Sequence, residues 1–430
     1  MGKVKEVILL YIIYFCYLRV RYLPSFQSRC LNKFLRKAFR DTDYYHDVII
    51  QNCGKNSKIC LDKIPFLTKE VIRKQDTRLF SNRIEKDKWC WLNTGGSTGE
   101  PLRFPFFRSR YSLQIEFVAQ MYLYKKMGYS IGDRIAAVDG RRVDEFFLKK
   151  RIFWGYNPAV FPFGKIHYST LYLDENTVSS YVDSLNTYRP SIIRGYPSGL
   201  VTLAKLIKLK KLSLSFQLKG IYLTSENFSS DYVEIVKEVF GCPIWGQYGH
   251  TESSVFAYSC PSQPEKYYCL PFYGKTELIR KDGTHCNIGE VGEIVVTGFS
   301  NQCLPFVRYR TGDLAEYGGT KKNGTVILNK LMGRSVDVLY DCNKRKIYLV
   351  GFIFGGHIPA FDVIDNWQME QSEYGKVILR IVRGEGFSQK DEVNLVAIFY
   401  EQGLNLQIEY VSEIAKTHSG KQKFLIQNIV

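Results

Sequence analysis

Apolar and polar positions change their period several times along the chain, and each change predicts where one type of element gives way to another. An apolar run over residues 7–18 is followed by Arg19, Arg21 and Arg29. Residues 29–50 then have a helical look, and Ile64-Pro65-Phe66-Leu67-Thr68-Lys69 predicts a helix start with Thr68 as N-cap. The aromatic-rich stretch 88–92 and the stretch 103–107 predict an outgoing and a returning strand around a turn rich in glycine and hydroxyls. Residues 109–127 put their apolar side chains on one face of a helix that Gly128 stops. Beyond residue 134 short apolar runs alternate with amphipathic ones. Strands are expected at 134–138, 191–194, 220–223 and 243–247, and helices at 177–187, 199–210 and 230–240. This alternation is the pattern of an α/β sheet. Period-two segments follow at 275–280 and 292–297, separated by the turn Lys281-Asp282-Gly283, with another strand at 324–328. Gly333-Arg334-Ser335-Val336-Asp337 predicts a turn between domains 1–333 and 334–430. In the second of these, 377–382 and 393–399 are expected as strands among helical pieces.

Composition narrows the classes. A chain of 430 residues exceeds one ordinary core. Hydrophobic residues at 45% and charged residues at 23% describe a packed protein, not a disordered one. The 30 Tyr and 28 Phe favour sheet-rich cores and supply rings for stacking on flat ligands. Lys and Arg number 59 against 42 Asp and Glu, a net charge of +17 that attracts polyanions. The basic residues are spread out and form no nucleic-acid module, so an anionic membrane surface fits this charge better than nucleic acid does.

The run 7–18 is shorter than the roughly 20 residues a spanning helix needs. Leu18-Arg19-Val20-Arg21 offers no small-residue cleavage site. A core helix packed on the main domain is the favoured expectation for it, with an interfacial membrane anchor as the alternative. The 11 cysteines include no C-x-x-C pair, which suits a reducing cytoplasm. His250, Cys260, Cys269 and Cys303 match no compact zinc spacing, so buried thiols are expected over a zinc site.

Candidate chemistry centres on residues 93–103, Asn-Thr-Gly-Gly-Ser-Thr-Gly-Glu-Pro-Leu-Arg. Gly95, Gly96 and Gly99 permit positive φ and close backbone approach, while Thr94, Ser97 and Thr98 add hydroxyls, so the loop suits phosphate. It is not a Walker A loop, because Glu100-Pro101 stands where the Lys-Ser/Thr pair should be. Taken alone, a plain glycine-rich hairpin explains it equally well. Ligands of open α/β sheets bind beyond the carboxyl ends of strands, where Thr224-Ser225-Glu226 and Tyr248-Gly249-His250-Thr251-Glu252 fall. Tyr248 offers a face for adenine, Thr251 a hydroxyl for phosphate and Glu252 a hard oxygen ligand for Mg²⁺. Asp313 can accept ribose hydroxyls, and Lys421 can bring a cation to charge developing at phosphorus.

In order, Thr-Gly-Gly-Ser-Thr-Gly-Glu-Pro, Tyr-Gly-His-Thr-Glu, Tyr-Arg-Thr-Gly-Asp-Leu, Gly-Arg-x-x-Asp and Ser-Gly-Lys resemble the adenylate-forming superfamily of acyl-CoA synthetases and luciferases. Ile64 to Lys69, Arg194-Gly195-Tyr196-Pro197-Ser198 and Leu304-Pro305-Phe306-Val307-Arg308-Tyr309-Arg310 resemble its phenylacetate–CoA ligase branch. The C-terminal part, ending in Ser-Gly-Lys-Gln-Lys-Phe, is similar to members linked to capsular and O-antigen polysaccharide biosynthesis.

The resemblance implies an α/β fold with a large multi-sheet N-terminal domain and a small mobile α+β C-terminal domain. It implies that Thr94, Gly95, Gly96, Ser97, Thr98 and Gly99 hold the β- and γ-phosphates of ATP. Ser225 and Glu226 would line the adenine end, Tyr248 stack on the base, Thr251 touch the α-phosphate and Glu252 bind Mg²⁺. Asp313 would take the ribose, with Arg334 nearby at the domain junction and Lys421 bridging the carboxylate and the α-phosphate. The implied reaction joins a carboxylic acid to AMP, releases pyrophosphate and passes the acyl group to CoA or to a sugar intermediate. The setting expected is the cytoplasm or the inner face of the membrane.

Val336 stands where many relatives carry a charged or hinge residue, which leaves the second half-reaction open. His250 either supports its turn or faces the acyl pocket, and Lys423 rivals Lys421. The competing expectation is a degenerate nucleotide-binding or scaffold protein in a membrane-associated polysaccharide assembly. The joint presence of Glu252, Asp313 and Lys421 speaks against it.

Overall fold

The computed structural model describes residues 25–54, 59–94, 102–107, 110–130, 132–157, 165–226, 228, 230–334, 337–349, 352–353, 358–384, 386–415 and 422–429. The apolar run 7–18, the loop residues Gly95, Gly96, Ser97, Thr98 and Gly99, and Val336 and Lys421 lie outside the described residues. The chain divides into two units, Met1–Gly128 with Gly246–Leu331, and Tyr129–Trp245 with Met332–Val430.

In the first unit the helical stretch expected at 29–50 is two helices, Phe26–Asp41 and Asp43–Cys53. Thr42 separates them: its backbone is extended, and its side chain accepts from the Tyr45 N–H to start the second helix. Thr68 does cap Lys69–Gln75, accepting from the Val71 N–H at 3.2 Å. The strands Cys90–Asn93 and Arg103–Phe106 pair antiparallel, with Asn93 opposite Arg103. Helix Arg110–Lys126 ends before Gly128, whose φ of 86° is easiest for glycine.

The sheet of this unit runs in the order Gly274–Ile279, Val291–Gly298, Tyr309–Thr320, Val326–Arg334, Gln263–Cys269, Phe256–Cys260 and Ile244–Gly249. Gly274 lies opposite Gly298 in an antiparallel ladder. That facing pair leaves space that the site uses.

The second unit holds the α/β pattern. Its strands run in the order Gly220–Thr224, Ile192–Gly195, Ile135–Asp139, Lys165–Ser169 and Trp154–Asn157. Neighbours are parallel except for Trp154–Asn157, which is antiparallel to Lys165–Ser169. Side chains alternate across such a sheet. Ala136, Val138, Ile166, Tyr168 and Ile193 point to one face and form a core with Leu200, Leu203 and Val236 of the covering helices Pro197–Leu209 and Ser230–Phe240. Pro197 begins its helix at a position where the missing N–H costs nothing.

The strand Lys165–Ser169 went unread in the sequence, because its alternating Lys, His and Ser suggest a half-exposed segment. All of its residues are buried.

The rest of this unit contains a four-stranded sheet in the order Asn405–Tyr410, Lys376–Arg383, Ile364–Glu373 and Leu425–Gln427. The strand expected at 393–399 is instead part of helix Gln389–Glu401. Ser388 and Asp391 close a capping box at its start. Leu395 and Phe399, four residues apart, are buried on one helical face, whereas Val393 and Val396 are exposed. The outward valines gave the segment its strand-like composition. No helix among the described residues is long and apolar enough to cross a membrane.

Candidate active site

In the first unit, the strand Ile244–Gly249 carries Tyr248 near its end. The Tyr248 hydroxyl donates to Asp313 Oδ2 at 2.7 Å. Burial, and then the Asp313 charge, push this phenol well above its ordinary range, so it remains a donor. Asp313 follows Gly312, at φ 78°, and its N–H donates to Thr311 Oγ1 at 3.0 Å. The Thr311 hydroxyl in turn donates to the Ile294 carbonyl at 2.7 Å. The base-facing aromatic and the ribose-facing carboxylate expected from the sequence are thus directly bonded.

Glu252 is buried at 6% exposure, while Thr251 beside it is exposed. Glu252 Oε1 accepts from the Tyr309 hydroxyl at 3.0 Å, and Oε2 lies 3.1 Å from His250 Nδ1. Burial raises this carboxyl, but the His250 charge and the hydrogen bonds outweigh it and hold the group at about 2. Glu252 is therefore ionised at neutral pH. A carboxylate offers about four lone-pair sites, so these contacts leave capacity for a hard cation such as Mg²⁺. His250 braces Glu252.

Two motifs noted separately in the sequence form one piece of structure. Leu67 bridges Tyr309 in parallel fashion, its N–H donating to the Arg308 carbonyl at 3.0 Å and its carbonyl accepting from the Arg310 N–H at 2.9 Å. Arg308 Nη1 donates to the carbonyls of Asp62 and Ile64, each at 3.1 Å. The segment Ile64 to Lys69 thereby fixes Tyr309, and Tyr309 fixes Glu252.

Sequence reasoning missed the support below the turn. Ser254 is buried, and its hydroxyl donates to the Glu252 carbonyl at 3.2 Å. A Cβ at Gly298 would lie 2.4 Å from Ser254 Cα, and one at Gly274 would lie 2.4 Å from the Ser254 carbonyl oxygen. The signal available was a glycine at each of two apolar strand ends, a mark of close backbone approach.

Thr94 is buried at the edge of the glycine-rich loop. Its Oγ1 accepts from the Leu102 N–H, and its own N–H donates to the Leu102 carbonyl, both at 2.9 Å. These bonds clasp the two ends of the loop.

Among the described residues, the side chains close enough to share a metal ion are Asp62, Glu277 and His285, not His250 with Cys260, Cys269 and Cys303. Arg308 Nη2 already lies 3.2 Å from Glu277, supplying that buried carboxylate with a counter-charge.

In the second unit, Ser225 is exposed at φ 73°, a left-handed backbone that a serine adopts only at a cost. Glu226 follows and sits at the N-terminus of helix Pro197–Leu209. It accepts from the Ser198 N–H at 3.0 Å and from the Ser198 hydroxyl at 3.1 Å. A carboxylate there is favoured by the helix dipole. Glu226 Oε1 also accepts from the Gln422 N–H at 3.1 Å, while the Gln422 side chain donates to the Trp367 carbonyl at 2.7 Å. Gln368 donates to the Lys423 carbonyl at 2.8 Å. Arg334 is the last residue of its strand, and its carbonyl accepts from the Asp337 N–H at 3.1 Å.

Comparison with known proteins agrees with this fold. The sequence model of the AMP-binding enzyme family matches residues 154–301, and that of the CapK C-terminal domain matches residues 339–428. Protein CapK of Staphylococcus aureus is 24% identical over 421 residues, covering 95% of this chain and 90% of that protein. An uncharacterized acyl–CoA ligase, YtcI, of Bacillus subtilis (strain 168) is 27% identical over 146 residues, 33% of this chain and 27% of that protein. Among solved structures, 2-hydroxyisobutyryl-CoA ligase in the postadenylation state with R3-HIB-AMP has a TM-score of 0.69 at 15% identity, covering 93% of this chain and 88% of that one. The anthranilate CoA ligase AuaEII with anthranoyl-AMP has a TM-score of 0.54 at 19% identity, covering 84% and 73%. Residues 154–301 thus match the AMP-binding enzyme family and residues 339–428 the CapK C-terminal domain, on a fold similar to that of 2-hydroxyisobutyryl-CoA ligase.

Proposed function

We propose that this protein activates a carboxylic acid with ATP, releasing pyrophosphate and forming an acyl-adenylate, and then passes the acyl group to CoA or to a sugar intermediate in surface polysaccharide assembly. The phenylacetate–CoA ligase-like motifs support the acid activation and the CapK C-terminal match supports the polysaccharide setting; the location in this reading is the cytoplasm or the inner membrane face. In this reading the chain works as domains 1–333 and 334–430, the second bringing the catalytic lysine.

Tyr248 stacks on adenine with its ring steadied through Asp313, which also accepts the ribose hydroxyls. Ser225 and Glu226 border the base, and Arg334 stands at the domain junction. Thr94, Gly95, Gly96, Ser97, Thr98 and Gly99 wrap the β- and γ-phosphates, and Thr251 touches the α-phosphate. Glu252 would hold Mg²⁺, which when bound offsets phosphate charge. Lys421 draws the substrate carboxylate and the α-phosphate together, the main electrostatic task in bringing two anions into line.

The observation that carries the reading is the bond from the Gln422 N–H to Glu226. It ties the residue next to Lys421 to the carboxyl end of the Gly220–Thr224 strand, the end of an open α/β sheet at which ligands bind. ATP–pyrophosphate exchange across a panel of carboxylic acids tests the first half-reaction, and adding CoA or an amino sugar nucleotide tests the second. Exchange with at least one acid, abolished by Lys421→Ala, is expected. ATP binding without exchange on any acid would replace this reading with a non-catalytic nucleotide-binding role.

A further inference from the structure

One face of the parallel sheet in the second unit is apolar and covered by helices; the other carries a buried polar row. Lys165, His167 and Ser169 alternate onto that second face along one strand. The registers set Asp139 beside Ser169, and Ala137 between His167 and Arg194. Asp139, Lys165 and His167 are exposed by only 6%, 5% and 5%. His167 Nδ1 lies 2.9 Å from Asp139 Oδ2, and Arg141 Nε lies 3.5 Å from the same oxygen.

Two nitrogens of this row are without hydrogen-bond partners among the described residues. Lys165 makes no hydrogen bond or ion pair with any described residue, and His167 Nε2 is buried without a hydrogen-bond partner. A buried imidazole nitrogen without a partner is destabilising, because it has given up its bond to water and gained none in return. The charges are also lopsided. Arg194, Arg141 and Lys165 all bear on Asp139, the carboxylate within the row. Burial, and then Arg194, push the Lys165 ammonium well below its ordinary range, and burial lowers His167 despite Asp139. An anionic oxygen brought to this row would restore the charge on Lys165 and give His167 a partner. Ala137, between His167 and Arg194, has the smallest side chain in the row.

The row leads toward the site described above. Tyr196 feels the charges of both Asp139 and Glu226, and Glu226 receives the Gln422 N–H. From Ser169 at the carboxyl edge to Lys165 the strand descends roughly 13 Å.

We propose that this row is the acyl-recognition site and selects an acid that carries a second anionic group, a dicarboxylic acid, with its distal carboxylate held by Lys165 and His167. This rests on the acid-activating reading for its catalytic consequence, but not for the binding itself.

Calorimetric titration of the full chain, without ATP, with a series of diacids (succinate to adipate, and terephthalate) and their monoacid counterparts (butyrate to hexanoate, and benzoate) tests the binding. At least one diacid should bind about tenfold or more tighter than its monoacid, as expected for a charge-assisted hydrogen bond. Lys165→Met should remove most of that advantage, and His167→Asn should reduce it severalfold, which keeps the test open if Lys165→Met does not fold. Equal affinity within each pair, no binding of any diacid, or an advantage that survives both substitutions overturns the proposal. Pyrophosphate exchange on the same acids separates the two claims. Diacid binding without exchange on any acid removes the catalytic reading and keeps the pocket. Exchange that favours monoacids removes the pocket and keeps the catalytic reading.

Discussion

Gln422 donates its backbone N–H to Glu226 Oε1 at 3.1 Å, across 196 positions of sequence. The same carboxylate holds both the backbone and the hydroxyl of Ser198. One acidic side chain thus joins a helix start, a strand end and the tail of the chain. Hydrogen bonds to a charged group are worth roughly 1.5–3 kcal/mol. Glu226→Ala is therefore expected to speed amide exchange at Gln422 by about 10–100-fold. Mass-resolved exchange over the C-terminal peptide measures this, and an unchanged rate would show that the bond does not hold the tail.

Tyr248→Phe keeps the ring and deletes the donor to Asp313. If the hydroxyl orients the ring for the base, KM for ATP should rise about 5–10-fold, the worth of roughly 1–1.5 kcal/mol. Tyr248→Ala, which also loses the stacking face, should cost more. Equal KM values for Tyr248→Phe and the native protein would separate the hydroxyl from nucleotide binding.

Glu252 gives the fold a defined acid response. Its carboxyl is held at about 2, below its ordinary 4.5. A depressed carboxylate stabilises the fold above its unfolded pKa, and that contribution is lost as pH falls toward 2. The native protein should therefore lose Tm between about pH 5 and pH 3 more steeply than Glu252→Gln, which starts lower and has no such limb. Parallel Tm curves for the two proteins would mean that the contacts of Glu252 do not hold its carboxyl down in solution.

Gly274→Ala puts a Cβ 2.4 Å from the Ser254 carbonyl oxygen and 2.8 Å from that of Thr297, both backbone atoms that cannot swing aside. Overpacking of this kind costs about 1–3 kcal/mol. Because Ser254 anchors the Glu252 turn, pyrophosphate exchange should fall as well. Gly155→Ala is the control: no atom lies within 4 Å of its added Cβ, so denaturant unfolding should move by less than about 0.5 kcal/mol. Similar losses for the two variants would disprove the close-approach argument.

Local periodicity and turn chemistry were enough to mark the α/β fold, the Thr68 cap, the hairpin around the glycine-rich loop and most strands of the parallel sheet. They are short-range properties, written within a few residues of each other. The same logic failed where burial overrode composition. Val393 and Val396 looked like a strand, yet Leu395 and Phe399 needed one helical face. The strand Lys165–Ser169 hid because its polar residues are inside. Motif chemistry pointed to Tyr248, Glu252 and Asp313 as single residues. Only the folded chain decided that Tyr248 bonds Asp313, that Tyr309 and His250 hold Glu252, and that paired glycines make room for Ser254. Partners dozens or hundreds of positions apart leave no periodic trace, because their meeting depends on strand order and register rather than on neighbouring residues.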